Sequence, residues 1–342
     1  PPPPVARVDA GRVAPALVTA LHTGAVLARA EAAVVTLAGP GAVTCLQGLL
    51  TNDLDAAGEG AFVYGALLTP KGMIVVDGWA ARRGITVGYT VPADARERAL
   101  AIFTHYVPRR LAQVQDRAGE LAVFRLAGPR ASAAAVAAGL EVPPAPGRVV
   151  AGPGEIETAR ASDVAPFVLQ VTAPLGEAER LAERLVASGA FEADPAALEL
   201  ARILAGWPRL GAEMDERTLP QEVRYDEIGG VSYTKGCYTG QETVARVHFR
   251  GHANRQLRGL LFDPEPPAAP AHGWSAVTHL DRDVGRVTSV AFVPEPGVAG
   301  AGRWVGLAVL RREVPAGAMV RAAGRDARVV DLPFAFPVAA PA

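Results

Sequence analysis

Residues 235–246, Lys-Gly-Cys-Tyr-Thr-Gly-Gln-Glu-Thr-Val-Ala-Arg (KGCYTGQETVAR), are the most informative stretch of this 342-residue chain. Cys237, one of only two cysteines, stands between Gly236 and Gly240 and two residues after Lys235. Thr239 and Glu242 are spaced Thr-x-x-Glu, the pattern of a capping box, so the spacing predicts a helix that starts here. Its positive dipole end and unpaired amides would lie just beyond Cys237. Lys235 adds a second positive field, and the glycines let backbone approach a ligand closely. These influences favour the thiolate, the reactive form of cysteine. A free cysteine is also commonly a small buried hydrophobe, so the residues alone leave Cys237 open between a reactive and a structural role.

The chain stays basic beyond this stretch, with Arg246, His248, Arg250, Arg255 and Arg258 and few carboxylates other than Glu242. Ala245, Val247 and Phe249 alternate with Arg246, His248 and Arg250, so a strand with one basic face competes with continuation of the helix. Such a face suits an anionic tail, or simply a solvated surface. His248 and His252 are separated by Gly251 with no carboxylate in a metalloprotease position, and no metal site is expected. Past Arg255 come strand-like runs at Leu257–Phe262, Val284–Val293, Trp304–Leu310, Ala318–Ala322 and Ala327–Val330, without a helical pattern between them. They predict a separate all-β C-terminal domain. Upstream, Ala33–Leu37, Ile85–Val91, Leu121–Leu126 and Phe167–Val171 read as strands. Ala93–Tyr106 and Leu175–Gly189 read as amphipathic helices. The fold class is therefore α+β for two-thirds of the chain, with a small barrel or sandwich at the end. Pro1–Pro4 is a low-complexity start, and Val142–Gly147, Asp263–Gly273 and Pro294–Gly302 are Pro/Gly-rich connections.

The net charge of -1 and pI near 6.7 give no global footprint for nucleic acid, and no direct nucleic-acid partner is expected. Cys45 and Cys237 cannot form a disulfide framework and suit a reducing cytosol, with Cys45 expected to be buried and inert. Two thiols are also too few to hold an iron–sulfur cluster within one chain. The most apolar N-terminal stretch, Val13–Ala28, contains Pro15 and His22 and falls short of the ~20 residues of a membrane span. The expectation is a cytoplasmic protein with no membrane association. P-loop, dinucleotide-fingerprint and nucleophile-elbow patterns are absent from the sequence.

Three further patches hold polar residues. Gly39–Leu54 (GPGAVTCLQGLLTNDL) ends in Thr51-Asn52-Asp53 and Leu54, Leu68–Asp77 (LTPKGMIVVD) closes a Pro-Lys-Gly turn on an acid, and Pro220-Gln221-Glu222 precedes Tyr225 and Asp226. Taken singly, Asp53 and Asp77 read as residues that cap or end an element, and Glu222 as a solvated carboxylate.

Together these patches resemble the YgfZ-type folate-binding proteins of the glycine-cleavage T-protein superfamily. Residues 235–246 are similar to that family's signature. The wider superfamily pattern recurs at Leu46–Asp53, Thr69–Asp77, Arg202–Gly211, Pro220–Glu222, Val284–Ser289, Leu307–Val309 and Leu332–Phe334. The resemblance implies a three-domain ring. Residues 1–33 and 120–198 would form one α+β domain, 34–119 and 199–250 a second that carries the signature, and 251–342 a C-terminal β-barrel domain. It also implies a central cavity for tetrahydrofolate or a one-carbon derivative, and a role in assembling or repairing iron–sulfur clusters in enzymes, including enzymes that modify tRNA. The partners would be folate and iron–sulfur enzymes or cluster-assembly proteins.

By motif match, Cys237 would be the working thiol with Lys235 beside it, and Glu222 the pterin-facing carboxylate, since a carboxylate pairs well with amide and amino donors. Asn52, Asp53, Asp77, Tyr238, Gln241, Arg246 and Arg250 complete the implied folate set, the two arginines facing the glutamate tail. The T-protein's adjacent aspartates are represented here by a valine followed later by Asp77, so the methyltransferase constellation is incomplete. Two alternatives stand beside the accessory role: a tetrahydrofolate-dependent aminomethyltransferase or demethylase using Asp77, and a protein-binding module that keeps only the scaffold.

Overall fold

The computed structural model describes residues 6–9, 13–262, 267–268, 275–295 and 301–335. Pro1–Pro4 and most of the Asp263–Gly273 and Pro294–Gly302 connections lie outside them. The chain opens with β1 (Ala6–Val8), α1 (Pro15–Thr23) and β2 (Val26–Arg29). It continues through β3 (Ala32–Ala38), α2 (Ala42–Gln47), β4 (Phe62–Leu68), β5 (Ile74–Arg83), β6 (Thr86–Pro92), α3 (Arg96–Tyr106) and β7 (Gln113–Asp116). Next come β8 (Leu121–Ala127), α4 (Ala131–Ala137), β9 (Arg148–Ala151), β10 (Glu157–Arg160), β11 (Leu169–Pro174), α5 (Ala178–Ala187) and β12 (Phe191–Ala193). Helices α6 (Pro195–Ala205) and α7 (Gln241–Arg250) precede β13 (Arg255–Phe262), β14 (Ser275–His279), β15 (Arg282–Pro294), β16 (Gly302–Arg311), β17 (Met319–Ala322) and β18 (Arg325–Val330).

Three sheets result. A five-stranded sheet runs β4-β5-β6-β3-β7, and a six-stranded sheet runs β12-β2-β8-β11-β10-β9. Because β2 pairs with β8, everything from β3 to β7 is inserted between two neighbouring strands of the other sheet. The six strands β15-β14-β17-β18-β13-β16 are antiparallel, and the β15–β16 pairing closes them into a barrel. Closure leaves no unpaired sheet edge, the usual solution for an all-β domain of this size. One segment departs from the sequence reading. β1, expected with the first α+β domain, pairs in parallel with β15, Ala6 opposite Ser289. Val8 is buried there beside Leu200 and Ile203 of α6 and Leu307 of the barrel, and that apolar contact holds the chain start on the barrel.

Local chemistry accounts for the helices that matter most. In α5, Ala178, Leu181, Ala182 and Leu185 recur at helical spacing and are buried, while Glu and Arg cover the outside. α6 has explicit punctuation: the Asp194 side chain accepts from the Ala196 N–H at 2.8 Å, Pro195 occupies the first turn, and Gly206 ends the helix at φ 62°. Its buried face carries Ala197, Leu200 and Ile203 and one charged group, Arg202.

Arg202 ties α6 to the barrel. Its guanidinium donates to Glu213 (2.9 Å), to the Trp207 carbonyl (2.7 Å), to Glu199 (2.6 Å) and to Ser289 Oγ on β15 (2.7 Å). Ser289 Oγ in turn donates to Glu213 at 2.6 Å, and Glu213 is 0% exposed. Burial would lower the Arg202 guanidinium's pKa, but Glu213 and Glu199 hold it raised, so the charge is fixed. Removing one member strands a buried charge, which costs about 3–5 kcal/mol. Arg202→Met is therefore expected to lose about that much unfolding free energy in urea titrations. The Arg202→Met/Glu213→Leu double variant should recover part of it, because neither charge is then left alone.

Candidate functional site

A cavity of about 560 Å³ opens where the two α+β sheets meet the segment after α6. Part of its wall is aromatic, and charged residues, Arg29, Asp94, Glu199 and Arg209 among them, line the rest. Trp79 of β5 stacks on Trp207 (5.8 Å between centroids), meets Phe167 edge-on (5.1 Å), and has Tyr64 of β4 tilted against it (5.3 Å). Tyr64 and Trp79 are opposite one another in the β4–β5 register, and Asp77 lies two residues before Trp79 on the same face. Arg125 of β8 lies over the Phe167 ring at 4.5 Å and also lines the space. At the cavity floor Asp77 is 6% exposed, and its Oδ2 accepts from the Tyr64 hydroxyl at 2.8 Å. The Tyr64 and Tyr225 hydroxyls are 3.1 Å apart. Asp77 Oδ1 is buried with no hydrogen-bond partner among the described residues. Burial pushes the Asp77 carboxyl up to about 6, against the opposing pull of the Tyr64 hydroxyl and Arg125. Beside charged residues such as Arg29 and Arg209, the cavity thus offers stacked aromatic faces and one carboxylate oxygen without a partner among the described residues, which fits a planar ring bearing N–H donors.

Of the ten site residues expected from the sequence, Asp77 alone lines this cavity. Glu222 sits elsewhere: its Oε2 accepts from the Leu219 N–H at 3.0 Å, and it lines a cleft against the barrel with Arg255, Arg311 and Arg312. The reason is local. Glu222 belongs to the 3₁₀ turn Pro220–Val223, where Pro220 and Val223 are the buried positions and the glutamate turns outward to cap the turn's own amide.

The signature residues do not surround Cys237 as the sequence reading expects. Lys235 Nζ donates to three carbonyls, Gln47 (2.7 Å), Leu50 (2.6 Å) and Asn52 (2.8 Å). All three ammonium donors are used. Burial draws its pKa down to about 8, with Asp53 and Asp55 opposing. Lys235 is therefore a strut that holds the loop after α2, and it is not free to assist a neighbouring thiol. Asn52 donates to the Tyr64 carbonyl (2.7 Å) and the Gly229 carbonyl (2.8 Å), and Asp53 accepts from Gln47, Asp55 and Ala56. The capping box does not form. Gly240, at φ 82°, is the N-cap, and the Gln241 side chain accepts from the Tyr238 N–H at 3.1 Å in place of the Thr239–Glu242 pair. A Cβ on Gly240 would stand 2.5 Å from the Thr69 carbonyl, so glycine lets residues 235–242 dock on the β4–β5 turn. Tyr238 is buried under Lys235, whose Nζ lies 5.1 Å from its ring.

Residues 241–250 are helical, which resolves the strand alternative, and Arg246 and Arg250 are exposed on α7. Cys237 is exposed, and Cys45 is half-buried with its pKa raised by burial. Sequence reasoning missed Tyr64, Trp79, Phe167, Trp207 and Arg125. Tyr64 and Trp79 carried a signal in retrospect, being large aromatics at same-face positions on strands in a chain that is only 6% aromatic.

The GCVT N-terminal domain family matches residues 22–140. An aminomethyltransferase from Rubrobacter xylanophilus is 32% identical over 313 residues, 88% of this chain and 80% of that protein. The tRNA-modifying protein YgfZ of Serratia proteamaculans is 33% identical over 230 residues, 67% of this chain and 68% of its own length. The Yersinia pestis YgfZ is 30% identical over 228 residues, with the same coverage. Among solved structures, the glycine cleavage system aminomethyltransferase T of Bartonella henselae shares the fold, with a TM-score of 0.77 over 93% of this chain and 88% of that one at 20% identity. No helix among the described residues is long and apolar enough to cross a membrane.

The Asp77 environment has a measurable consequence. The folded protein holds this proton up to about pH 6, whereas an ordinary aspartate releases it near 3.8. Stability from this group is therefore lost as pH rises between those values, at about 1.4 kcal/mol for each pH unit crossed. Asp77→Asn is expected to be more stable than wild type at pH 8, by up to about 3 kcal/mol, and nearly equal to it at pH 4. Urea midpoints at the two pH values check this. A less stable variant at pH 8 would show that Asp77 is well paired.

Proposed function

We propose, for a chain that belongs to the YgfZ type of the glycine-cleavage T-protein superfamily, that the aromatic cavity binds a tetrahydrofolate. The loaded protein then supports assembly or repair of iron–sulfur clusters in partner enzymes, among them enzymes that modify tRNA. The observation that carries the folate part is Asp77 Oδ1, buried without a partner among the described residues in a cavity that Trp79, Trp207 and Phe167 also line. A pterin is flat and presents amide and amino N–H groups, so a buried carboxylate oxygen and stacked rings match it in shape and in donor pattern. Tyr64, by donating to Oδ2, keeps Oδ1 turned outward as the acceptor. Tetrahydrofolate, when bound, supplies a pair of nitrogens that can carry a one-carbon unit. The cavity volume is within the ordinary range for ligands of this size. The iron–sulfur part rests on the signature at 235–246 and on the exposure of Cys237, a thiol that a partner can reach.

A second reading, aminomethyl transfer or demethylation, is favoured by the coverage of the Rubrobacter relative and by an Asp77 whose proton is exchangeable near neutral pH. Turnover of a lipoyl-bound aminomethyl group with tetrahydrofolate would establish it, and no turnover would remove it.

Calorimetric titration with tetrahydrofolate is expected to show saturable binding that Asp77→Asn weakens by about 10- to 100-fold, the size of a lost hydrogen bond to a charged group. Glu222→Gln, in a separate cleft, is expected to change the affinity by no more than about twofold. Absence of saturable binding to the wild type ends the folate reading. In a strain lacking the protein, wild type should restore iron–sulfur enzyme activity and Cys237→Ala, at matched folded levels, should not. Equal rescue would remove the thiol from the mechanism, and enzymes unaffected by the deletion would remove the iron–sulfur role.

A further inference from the structure

A second cavity, of about 320 Å³, lies between the facing surfaces of the five- and six-stranded sheets. Phe62, which lines it, stacks at 4.8 Å on Trp79, which lines the first cavity, so the two spaces stand back to back. Its lining follows the two-residue period of the strands: Thr86, Gly88 and Thr90 on β6, Glu157 on β10, and Gln170 and Thr172 on β11. Facing surfaces of packed sheets ordinarily interdigitate apolar side chains. Here apolar residues such as Val34, Phe62 and Val149 share the lining with polar ones, and two of the polar groups lack partners among the described residues.

Gln170 is 2% exposed; its Nε2 donates to Thr90 Oγ1 at 3.0 Å, and its Oε1 is buried with no partner among the described residues. Arg83 Nη1, also lining the cavity, is likewise buried with no hydrogen-bond partner among the described residues. Glu157 forms no ion pair among the described residues; burial raises its carboxyl while Arg83 and Arg117 draw it down. Buried polar groups without partners are costly, and native structures retain few of them. The cavity therefore holds a partnerless cationic donor on β5 and a partnerless amide oxygen on β11 among the described residues, with the Glu157 carboxylate on β10 beside the latter.

We infer that this second cavity binds a free α-amino acid, its carboxylate on Arg83 and its ammonium on Glu157 and Gln170 Oε1. The lining carries two cations, Arg83 and Arg117, and two carboxylates, Glu155 and Glu157, so a lone anion or a lone cation would meet like charge and a zwitterion is the complement. The volume lies at the small end of the range for ligand sites and suits a molecule of that size. The assignment does not depend on the folate reading.

Saturation-transfer NMR and calorimetry would use glycine, L-alanine, L-serine and L-glutamine as probes, with acetate and methylammonium as single-charge controls. At least one amino acid should bind saturably, and both controls should bind at least about 10-fold more weakly, as expected when one charged contact is missing. Glu157→Gln should weaken that binding by a similar factor. Gly88→Val adds bulk to the cavity from a root that is not crowded: a Cβ there meets only Val34 Cγ1, at 3.7 Å, and a thermal melt reports whether the variant is folded. It should abolish amino-acid binding with an unchanged or higher thermal midpoint and unchanged tetrahydrofolate affinity. The inference is overturned if none of the four amino acids binds, if acetate binds as tightly as they do, if binding survives Gly88→Val, or if tetrahydrofolate displaces the amino acid.

Discussion

Lys235 reaches back 188, 185 and 183 positions along the chain to bind three carbonyls of one loop, and much of the central architecture hangs from that contact. The loop it fixes contains Thr51, whose hydroxyl donates to the Gly230 carbonyl (2.6 Å) and accepts from the Ala66 N–H (2.9 Å). It also contains Asn52, which holds the Tyr64 and Gly229 carbonyls. Tyr64 then donates to Asp77. A hydrogen-bonded path therefore runs from the signature stretch to the floor of the aromatic cavity. An ammonium surrounded by carbonyls in a half-buried loop satisfies backbone acceptors that would otherwise be costly to leave unpaired. The signature's lysine acts through this scaffold, at a distance from the aromatic cavity.

The cavity itself combines features that oppose each other energetically. Stacked Trp79, Trp207 and Phe62 are favourable to bury, whereas Asp77, with one oxygen lacking a partner among the described residues, is not. The protein tolerates the carboxylate because the surrounding network is otherwise firmly anchored. Arg202 binds Glu199, Glu213, Ser289 and the Trp207 carbonyl, and so fixes one wall of the cavity to the barrel. Sites that sacrifice stability for a poised group are where a ligand is expected to act. The interface between the two sheets repeats this pattern at Arg83, Glu157 and Gln170, where an apolar seam would have been the stable choice.

The two cavities also clarify the family relationship. The fold is that of the aminomethyltransferase T of Bartonella henselae, and the chain is 32% identical to an aminomethyltransferase over 313 residues and 33% identical to a YgfZ protein over 230 residues. Fold alone does not choose among functions carried on one scaffold. The choice rests on particular groups: an aspartate in an aromatic cavity, and a solvent-facing cysteine on a stretch docked through Gly240.

The sequence by itself determined what depends on neighbours along the chain. The Asp194-Pro195 start and Gly206 end of α6, the buried face of α5 and the run of C-terminal strands are all set by periodicity and by residues a few positions apart. The signature at 235–246, with the weaker patches in their order along the chain, was enough to indicate the family. Only the tertiary structure decided where the polar groups point. It put Asp77 and Glu222 in different cavities, gave Lys235 to backbone carbonyls, replaced the Thr239–Glu242 box with Gly240 and Gln241, and brought β1 to the barrel. Lys235 and β1 take partners more than 180 residues away, whereas Glu222 and Gln241 cap amides three residues away in conformations that the surrounding packing selects. A linear pattern records a side chain's chemistry and local period, but a buried donor or acceptor takes whichever partner the packed fold brings within about 3 Å.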